Sequence, residues 1–123
     1  YIYQEGGTVY RYAVTSMSDD VKEIMKRNNL QEADVNWVVP HEANMRIIEA
    51  VTKRLDIPME KVMVNIEHYG NTSAASIALA LWDFEHKLKK GDNVIITAFG
   101  AGFVHGAAFL KWGYDGAEAA KKA

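Results

Sequence analysis

The sequence predicts an α/β fold with a mostly parallel sheet that ends in an antiparallel, hairpin-linked strand. Three observations carry this. Short β-branched or apolar runs alternate with amphipathic helical patterns along the chain. The last two strand patterns follow each other across a glycine turn, Gly100-Ala101-Gly102. No internal repeat and no linker divides the chain, and its 123 residues suit one domain with a real core.

Residues 1–12 alternate aromatic and polar residues around Gly6-Gly7, a pattern that allows two short extended pieces or a loop. From Ala13 the period changes. Met17, Val21, Ile24, Met25 and Asn28 share one helical face, with Asp19, Asp20, Lys22, Lys26 and Arg27 off it. The acidic pair lies early and the basic pair late, as a helix dipole favours, and Asn28-Asn29 is the stop. Asp34 to Val39 reads as a buried strand, broken at Pro40, which has no N–H to give a ladder. Ile47, Ile48, Val51 and Leu55 mark a second helix, ended by Asp56-Ile57-Pro58. Val62 to Ile66 is a further strand-like run. Ser73-Ala74-Ala75-Ser76 opens a third helix, continued by Ile77, Leu81, Phe84 and Leu88 and closed by Lys89-Lys90-Gly91-Asp92. Its small residues suit close approach by neighbouring backbones, as in a helix at the middle of a domain. Asn93 to Phe99 and Val104 to Trp112 are the last strands, and Gly113 to Ala123 is expected to be a loose tail.

Composition narrows the chemistry. Hydrophobic residues make up 49% and charged residues 24%, ordinary for a globular protein. A net charge of −2 gives no basic field for nucleic acid or an anionic membrane. No apolar run is long enough to span a bilayer, and no signal-peptide pattern opens the chain. Cysteine is absent, which removes disulfides, thiolate metal sites and a cysteine nucleophile from this chain. These features fit a cytoplasmic protein. The first residue is Tyr1, so the chain is expected to be an excised piece of a longer one.

Three spots lie where a strand pattern ends: His41 after Pro40, Asn71 after the Val62–Ile66 run, and Gly100-Ala101-Gly102 after Phe99. In open α/β sheets, sites collect at the carboxyl ends of strands. Taken singly, each has a plain structural reading. His41 suits a helix cap or packing beside Trp37, Asn71 suits an N-cap, and the glycine pair suits a hairpin turn. His68 and His86 lie among polar neighbours, and His105 reads as a packed or strand-edge residue. No histidine pair has zinc spacing, so no metal is expected. The phosphate-binding glycine motifs and the G-x-S-x-G elbow are absent. Taken together, His41 and Asn71 offer two nitrogen donors able to stabilise one enolate or oxyanion.

The same residues carry a family resemblance. Pro40-His41-Glu42-Ala43-Asn44-Met45-Arg46-Ile47-Ile48 resembles the P-H-Q-A-N-x-R-I-I segment of the β-ketoacyl-[acyl-carrier-protein] synthase III family. Tyr69 to Ser76 resembles its Y-G-N-T-S-A-A-S, Ala98 to Phe103 its A-F-G-G-G-F, and Val9 to Val14 its V-F-R/K-F-A-V. The likeness runs from about Gly6 to Trp112.

The resemblance implies a thiolase-like fold, of which this chain is the C-terminal half of a layered αβαβα stack, with a mixed sheet and helices on both faces. It implies a half-domain over residues 1–112 and a tail over 113–123. It implies an acyltransferase that condenses acyl-CoA, acetyl-CoA in particular, with malonyl-[acyl-carrier-protein] by decarboxylation, initiating fatty acid synthesis. Of the family's Cys-His-Asn set, His41 and Asn71 match the second and third, and the cysteine belongs to the N-terminal half. The Ala101 backbone N–H matches an oxyanion-hole donor, with Ala where the family usually has Gly. Asn44 matches a residue near the pantetheine arm or an active-site water, and Arg46 a basic residue facing the carrier protein. Glu42 replaces the usual Gln. No cofactor is implied beyond coenzyme A thioester and carrier-protein phosphopantetheine as substrates. The implied partners are the N-terminal half, the acyl-carrier protein, acyl-CoA and a second copy of the full-length enzyme. Related thioester-condensing enzymes of polyketide, quinolone or hydroxymethylglutaryl-CoA type are the alternative, and the isolated chain is alternatively a structural or binding half-domain without turnover.

Overall fold

The computed structural model describes residues 6–40, 45–64, 75–100 and 104–117. Helix α1 spans Gly6–Arg27, strand β1 Trp37–Pro40, α2 Met45–Leu55, α3 Ala75–Phe84, β2 Asn93–Gly100 and β3 Val104–Lys111. Among the described residues the sheet has three strands in the order β1-β2-β3. β1 runs parallel to β2, with Pro40 opposite Thr97, and β2 runs antiparallel to β3, with Gly100 opposite Val104. The predicted α/β class, with its mixed sheet and final antiparallel strand, is what forms.

The period of two along the strands divides the core into two faces. Val38 and Ile95 are fully buried with Val14, Met17 and Val21 of α1 and Ile48 and Val51 of α2, with Phe99 and Phe109 packed alongside. Val39 and Val94 face the other way, onto Ala80 and Leu88, with Ile77, Leu81 and Phe84 around them. Helices therefore cover both faces, α1 and α2 on one and α3 on the other. Ile95 has no exposure at the middle of the sheet, and truncating a buried Ile to Ala costs about 2–5 kcal/mol.

Both early helices stop as their sequences foretell. Asn29 takes a left-handed φ of 54°, and the Leu30 N–H reaches back to the Met25 carbonyl at 2.9 Å. Asp56 repeats this with φ 57°, and the Ile57 N–H bonds the Thr52 carbonyl at 3.1 Å. In both, the residue after the turn folds an apolar side chain back against the helix end.

Four elements differ from expectation. α1 starts at Gly6, where extended pieces or a loop were expected. The apolar stripe continues backward from Val14 to Tyr10, which packs against the core, and this tertiary packing overrides the β preference of Tyr10. Asp19 and Asp20 consequently lie far from the first turn, so the dipole does not explain them. The run from Asp34 enters the sheet late: Glu32–Asp34 is a 3₁₀ turn whose Asp34 carboxylate accepts the Gln31 N–H at 2.8 Å, and pairing begins at Trp37. The run from Val62 contributes one parallel bridge to Val38 among its described residues, not a strand. Its Val62 N–H is taken by Met59 in the preceding 3₁₀ turn (2.9 Å), and the Met63 N–H reaches Val38 at 3.0 Å. Ile66 lies outside the described residues. α3 ends at Phe84, not Leu88. There the backbone tightens into a 3₁₀ turn, Glu85–Lys87, which brings Leu88 fully into the core.

The segment from Gly113, expected to be a tail, folds back over residues 113–117. Trp112 and Tyr114 rings meet at 5.1 Å, the Tyr114 hydroxyl donates to Glu85, and the buried Gly116 N–H donates to the Leu88 carbonyl at 2.8 Å. A Cβ on Gly116 would stand 1.7 Å from the Glu85 carbonyl oxygen. That atom is backbone and cannot swing aside.

Gly116→Ala is expected to undock this segment and lower stability by about 1–3 kcal/mol, read as a shift of the denaturation midpoint; an unshifted midpoint rules the docking out. Tyr114 adds a pH signature. Its pKa is raised from 10.0, first by the hydrogen bond to Glu85, then by lost solvation and by the Glu85 charge. Its contribution is therefore whole below pH 10.0 and is lost as the pH rises through the higher folded-state value. Tyr114→Phe is expected to flatten that alkaline limb of the stability curve, and an identical limb in both proteins would exclude the pair as its source.

Candidate functional site

The path of the chain defines one end of the sheet. From β1 the chain crosses through α2 to the Val62 bridge beside β1, then returns through α3 on the opposite face to β2. The connections thus diverge between β1 and β2. In doubly wound sheets the crevice at the carboxyl ends of the strands flanking such a switch is where ligands bind. β1 ends at Pro40 and β2 at Gly100, and their parallel register puts both ends at the same edge. The Val62–Val64 segment runs parallel to β1 and heads the same way.

His41 follows Pro40 directly, and Ala101 follows Gly100. Asn71 lies between the Val62–Val64 segment and the start of α3. His41, Asn44, Asn71 and Ala101 themselves lie outside the described residues. The described structure thus brings the lead-ins of the three sequence-predicted spots to one edge.

Arg46 is described, in the first turn of α2. It is exposed, its guanidinium lies 5.1 Å from the centroid of the Tyr10 ring, and the Tyr10 hydroxyl approaches the Arg46 carbonyl at 3.4 Å. A guanidinium held against an aromatic face keeps its charge and its fork of donors available to an anionic surface. Tyr10 is a contact that sequence reading missed. Its signal was the helical spacing from Tyr10 to Val14 and Met17.

Other features fall away from this edge. A pocket lined by Lys22, Met25, Lys26, Leu30, Arg54 and Leu55 lies at the C-terminal ends of α1 and α2, the opposite end of the fold. Among the described residues, no three His, Asp or Glu side chains gather as metal ligands. His86 is exposed, as expected, while His68 lies outside the described residues. His105 lies on β3, the edge strand of the described sheet, as one of its two sequence readings has it, and its Nδ1 lies 2.6 Å from the Asp20 carboxylate. Among the described residues, no helix is long and apolar enough to cross a membrane.

Comparison with known proteins places this architecture. A β-ketoacyl-[acyl-carrier-protein] synthase III of Bacteroides thetaiotaomicron is 65% identical over 116 residues, which are 94% of this chain and 35% of that protein. The crystal structure of 3-oxoacyl-[acyl-carrier-protein] synthase III from Aquifex aeolicus superposes with a TM-score of 0.87 at 44% identity, covering 91% of this chain and 37% of that one. The priming β-ketosynthase of the R1128 polyketide pathway gives a TM-score of 0.83 at 32% identity, over 92% of this chain and 35% of its own. The chain thus spans roughly a third of the length of the relatives it matches. Such a chain has the architecture of one half of the thiolase-like αβαβα fold. Residues 25–112 match the family described as 3-oxoacyl-[acyl-carrier-protein (ACP)] synthase III C terminal, and the chain belongs to that family.

Proposed function

We propose that this chain is the C-terminal catalytic half, residues 1–112 with an extension over 113–123, of a cytoplasmic β-ketoacyl-[acyl-carrier-protein] synthase III. The observation that carries the reading is the parallel β1–β2 pairing, which sends the chain toward His41 and Ala101 from neighbouring strand ends. The names of the relatives supply the reaction class.

In the proposed reaction the thiolate of a cysteine in the N-terminal half attacks the acyl-CoA carbonyl, the bond to the CoA sulfur breaks, and CoA leaves as the acyl group passes to the cysteine. Malonyl-acyl-carrier-protein then binds, the bond to its terminal carboxylate breaks, and CO₂ leaves. The electron pair passes into a thioester enolate. His41 and Asn71 donate hydrogen bonds to that enolate oxygen, and they act before the new bond exists. The enolate carbon next attacks the acyl-cysteine carbonyl, the carbon–carbon bond forms, and the thiolate departs. The Ala101 N–H holds the tetrahedral oxyanion of this second stage. A backbone donor survives the change from Gly to Ala. Asn44 contacts the pantetheine arm or an active-site water, and Arg46 meets the acidic surface of the carrier protein. Losing one donor of this kind costs about 3–4 kcal/mol of barrier.

The likeness to a polyketide priming enzyme favours one further reading, the same condensation with a different acyl starter. Acetyl-CoA against longer acyl-CoA primers separates the two.

His41→Ala and Asn71→Ala in the full-length enzyme are each expected to slow condensation about 10²–10³-fold; normal rates in both variants would sink the assignment. The isolated chain has no cysteine and is expected to show no condensation, so turnover by the purified 123 residues would contradict the division of roles. It is also expected to self-associate. Trp82 is 78% exposed and Leu110 38% exposed, with Ala108 beside it on the sheet face that α3 leaves open. A single monomeric species in light scattering at high concentration would count against this.

A further inference from the structure

The β2–β3 hairpin closes with two register pairs, Phe99 opposite His105 and Gly100 opposite Val104, and residues 101–103 join them. Backbone pairing runs the length of the hairpin, but its packing is uneven. Ile95 belongs to the core, and Phe109 toward the open end of β3 and Phe99 at the closed end of β2 pack against it. Toward the closed end Gly106 is exposed and Ala107 is only half-buried. There the contact with α1 is made by specific side chains.

His105 and Asp20 are 85 positions apart, and His105 Nδ1 sits 2.6 Å from the Asp20 Oδ2. Both side chains are mostly covered, 32% and 22% exposed. A carboxylate only accepts, so Nδ1 carries the hydrogen, which holds for the neutral tautomer and for the imidazolium alike. Two turns earlier on α1, Tyr12 meets His105 edge-on (centroids 6.0 Å, 68°) and Phe99 at 5.6 Å. Asp20 and Tyr12 thus grip the last register pair but one, Phe99 with His105, from a single helix face.

We propose that Asp20 and His105 are positioning residues: their hydrogen bond fixes the closed end of the hairpin onto α1 and so sets the direction in which the chain leaves Gly100 for Ala101. The catalytic consequence rests on the proposed role of the Ala101 N–H. An oxyanion donor works by being aimed beforehand, and a displacement of about 1 Å can cost about 10²-fold in rate. Neither side chain is asked to touch substrate.

Two measurements on four variants test this. Asp20→Ala and His105→Ala remove the bond. Asp20→Asn keeps an oxygen that accepts from Nδ1–H, and His105→Asn keeps a nitrogen donor near the Nδ1 position. Hydrogen exchange on the 123-residue chain reads the tether itself. The alanine variants are expected to speed exchange of amides 98–100 and 104–106 about tenfold relative to amides 94–96 and 108–110, as befits one charge-assisted bond at a partly exposed site. The asparagine variants stay near the parent. Unchanged exchange, equal acceleration along both strands, or asparagine variants as fast as the alanines would each overturn the tether. Steady-state condensation in the full-length enzyme reads its consequence: kcat falls about tenfold or more in the alanine variants, KM holds, and Asp20→Asn recovers kcat. A loosened hairpin with unaltered kcat would overturn the positioning role. An unsubstituted enzyme without condensation would instead refute the proposed function, and the exchange result would stand apart from it.

Discussion

The parallel pairing of β1 with β2 is the constraint from which the rest follows. Two parallel neighbours cannot be joined by a hairpin, so the chain must leave the sheet and cross back. Here it does so twice between Pro40 and Asn93, through α2 on one face and α3 on the other. Both faces of β1 and β2 are then buried, which explains why Val38, Val39, Val94 and Ile95 form near-continuous apolar runs. The two crossings pass on opposite sides of β1, so the connections diverge at the carboxyl ends of β1 and β2, where topology alone opens a crevice in doubly wound sheets.

Helix α1 answers a different need. β3 has no crossover helix of its own, since it follows β2 by a hairpin. The 22 residues of α1 lie across β2, β3 and α2 together. Burial of Val14, Met17 and Val21 holds it there, and the polar contacts orient it. The Arg54–Asp19 pair, at 3.9 Å with both side chains exposed, adds about 0–1 kcal/mol at most. The Asp20–His105 bond is shorter and better covered, and it ties the helix to the strand that the core grips least.

Much of this was legible in the sequence where one local rule acted alone. Asn28-Asn29 and Asp56-Ile57 ended helices because short polar residues tolerate the left-handed turn. Asn93 to Phe99 is β-branched and formed a strand. Legibility failed where local preference met tertiary packing. Tyr10 favours a strand, yet the face it continues belongs to α1. Val62 looked extended, but its N–H was already taken by a turn. Leu88 fits the α3 period, but it reaches the core by leaving the helix. For the site, the strand ends were readable one by one, whereas their arrival at a single edge depended on a pairing register that no linear spacing contains. The Asp20–His105 contact was hidden for the same reason, since it joins residues 85 apart.

The open surface of this chain and the chemistry proposed for it have one physical origin. α3 carries a single charged residue, Asp83, in ASIALALWDF, and a helix so apolar is suited to burial on more than one side. The sheet covers one side of it; Trp82 stands almost bare on another. Hydrogen-bond donors aimed at a developing negative charge are strong when water is excluded and weak when it is not. In the proposed enzyme the layer that covers α3 also brings the nucleophile and closes the crevice at the ends of β1 and β2. Covering the apolar helix and empowering the donors are then the same event, so assembly of the two halves is itself a step in making the site active.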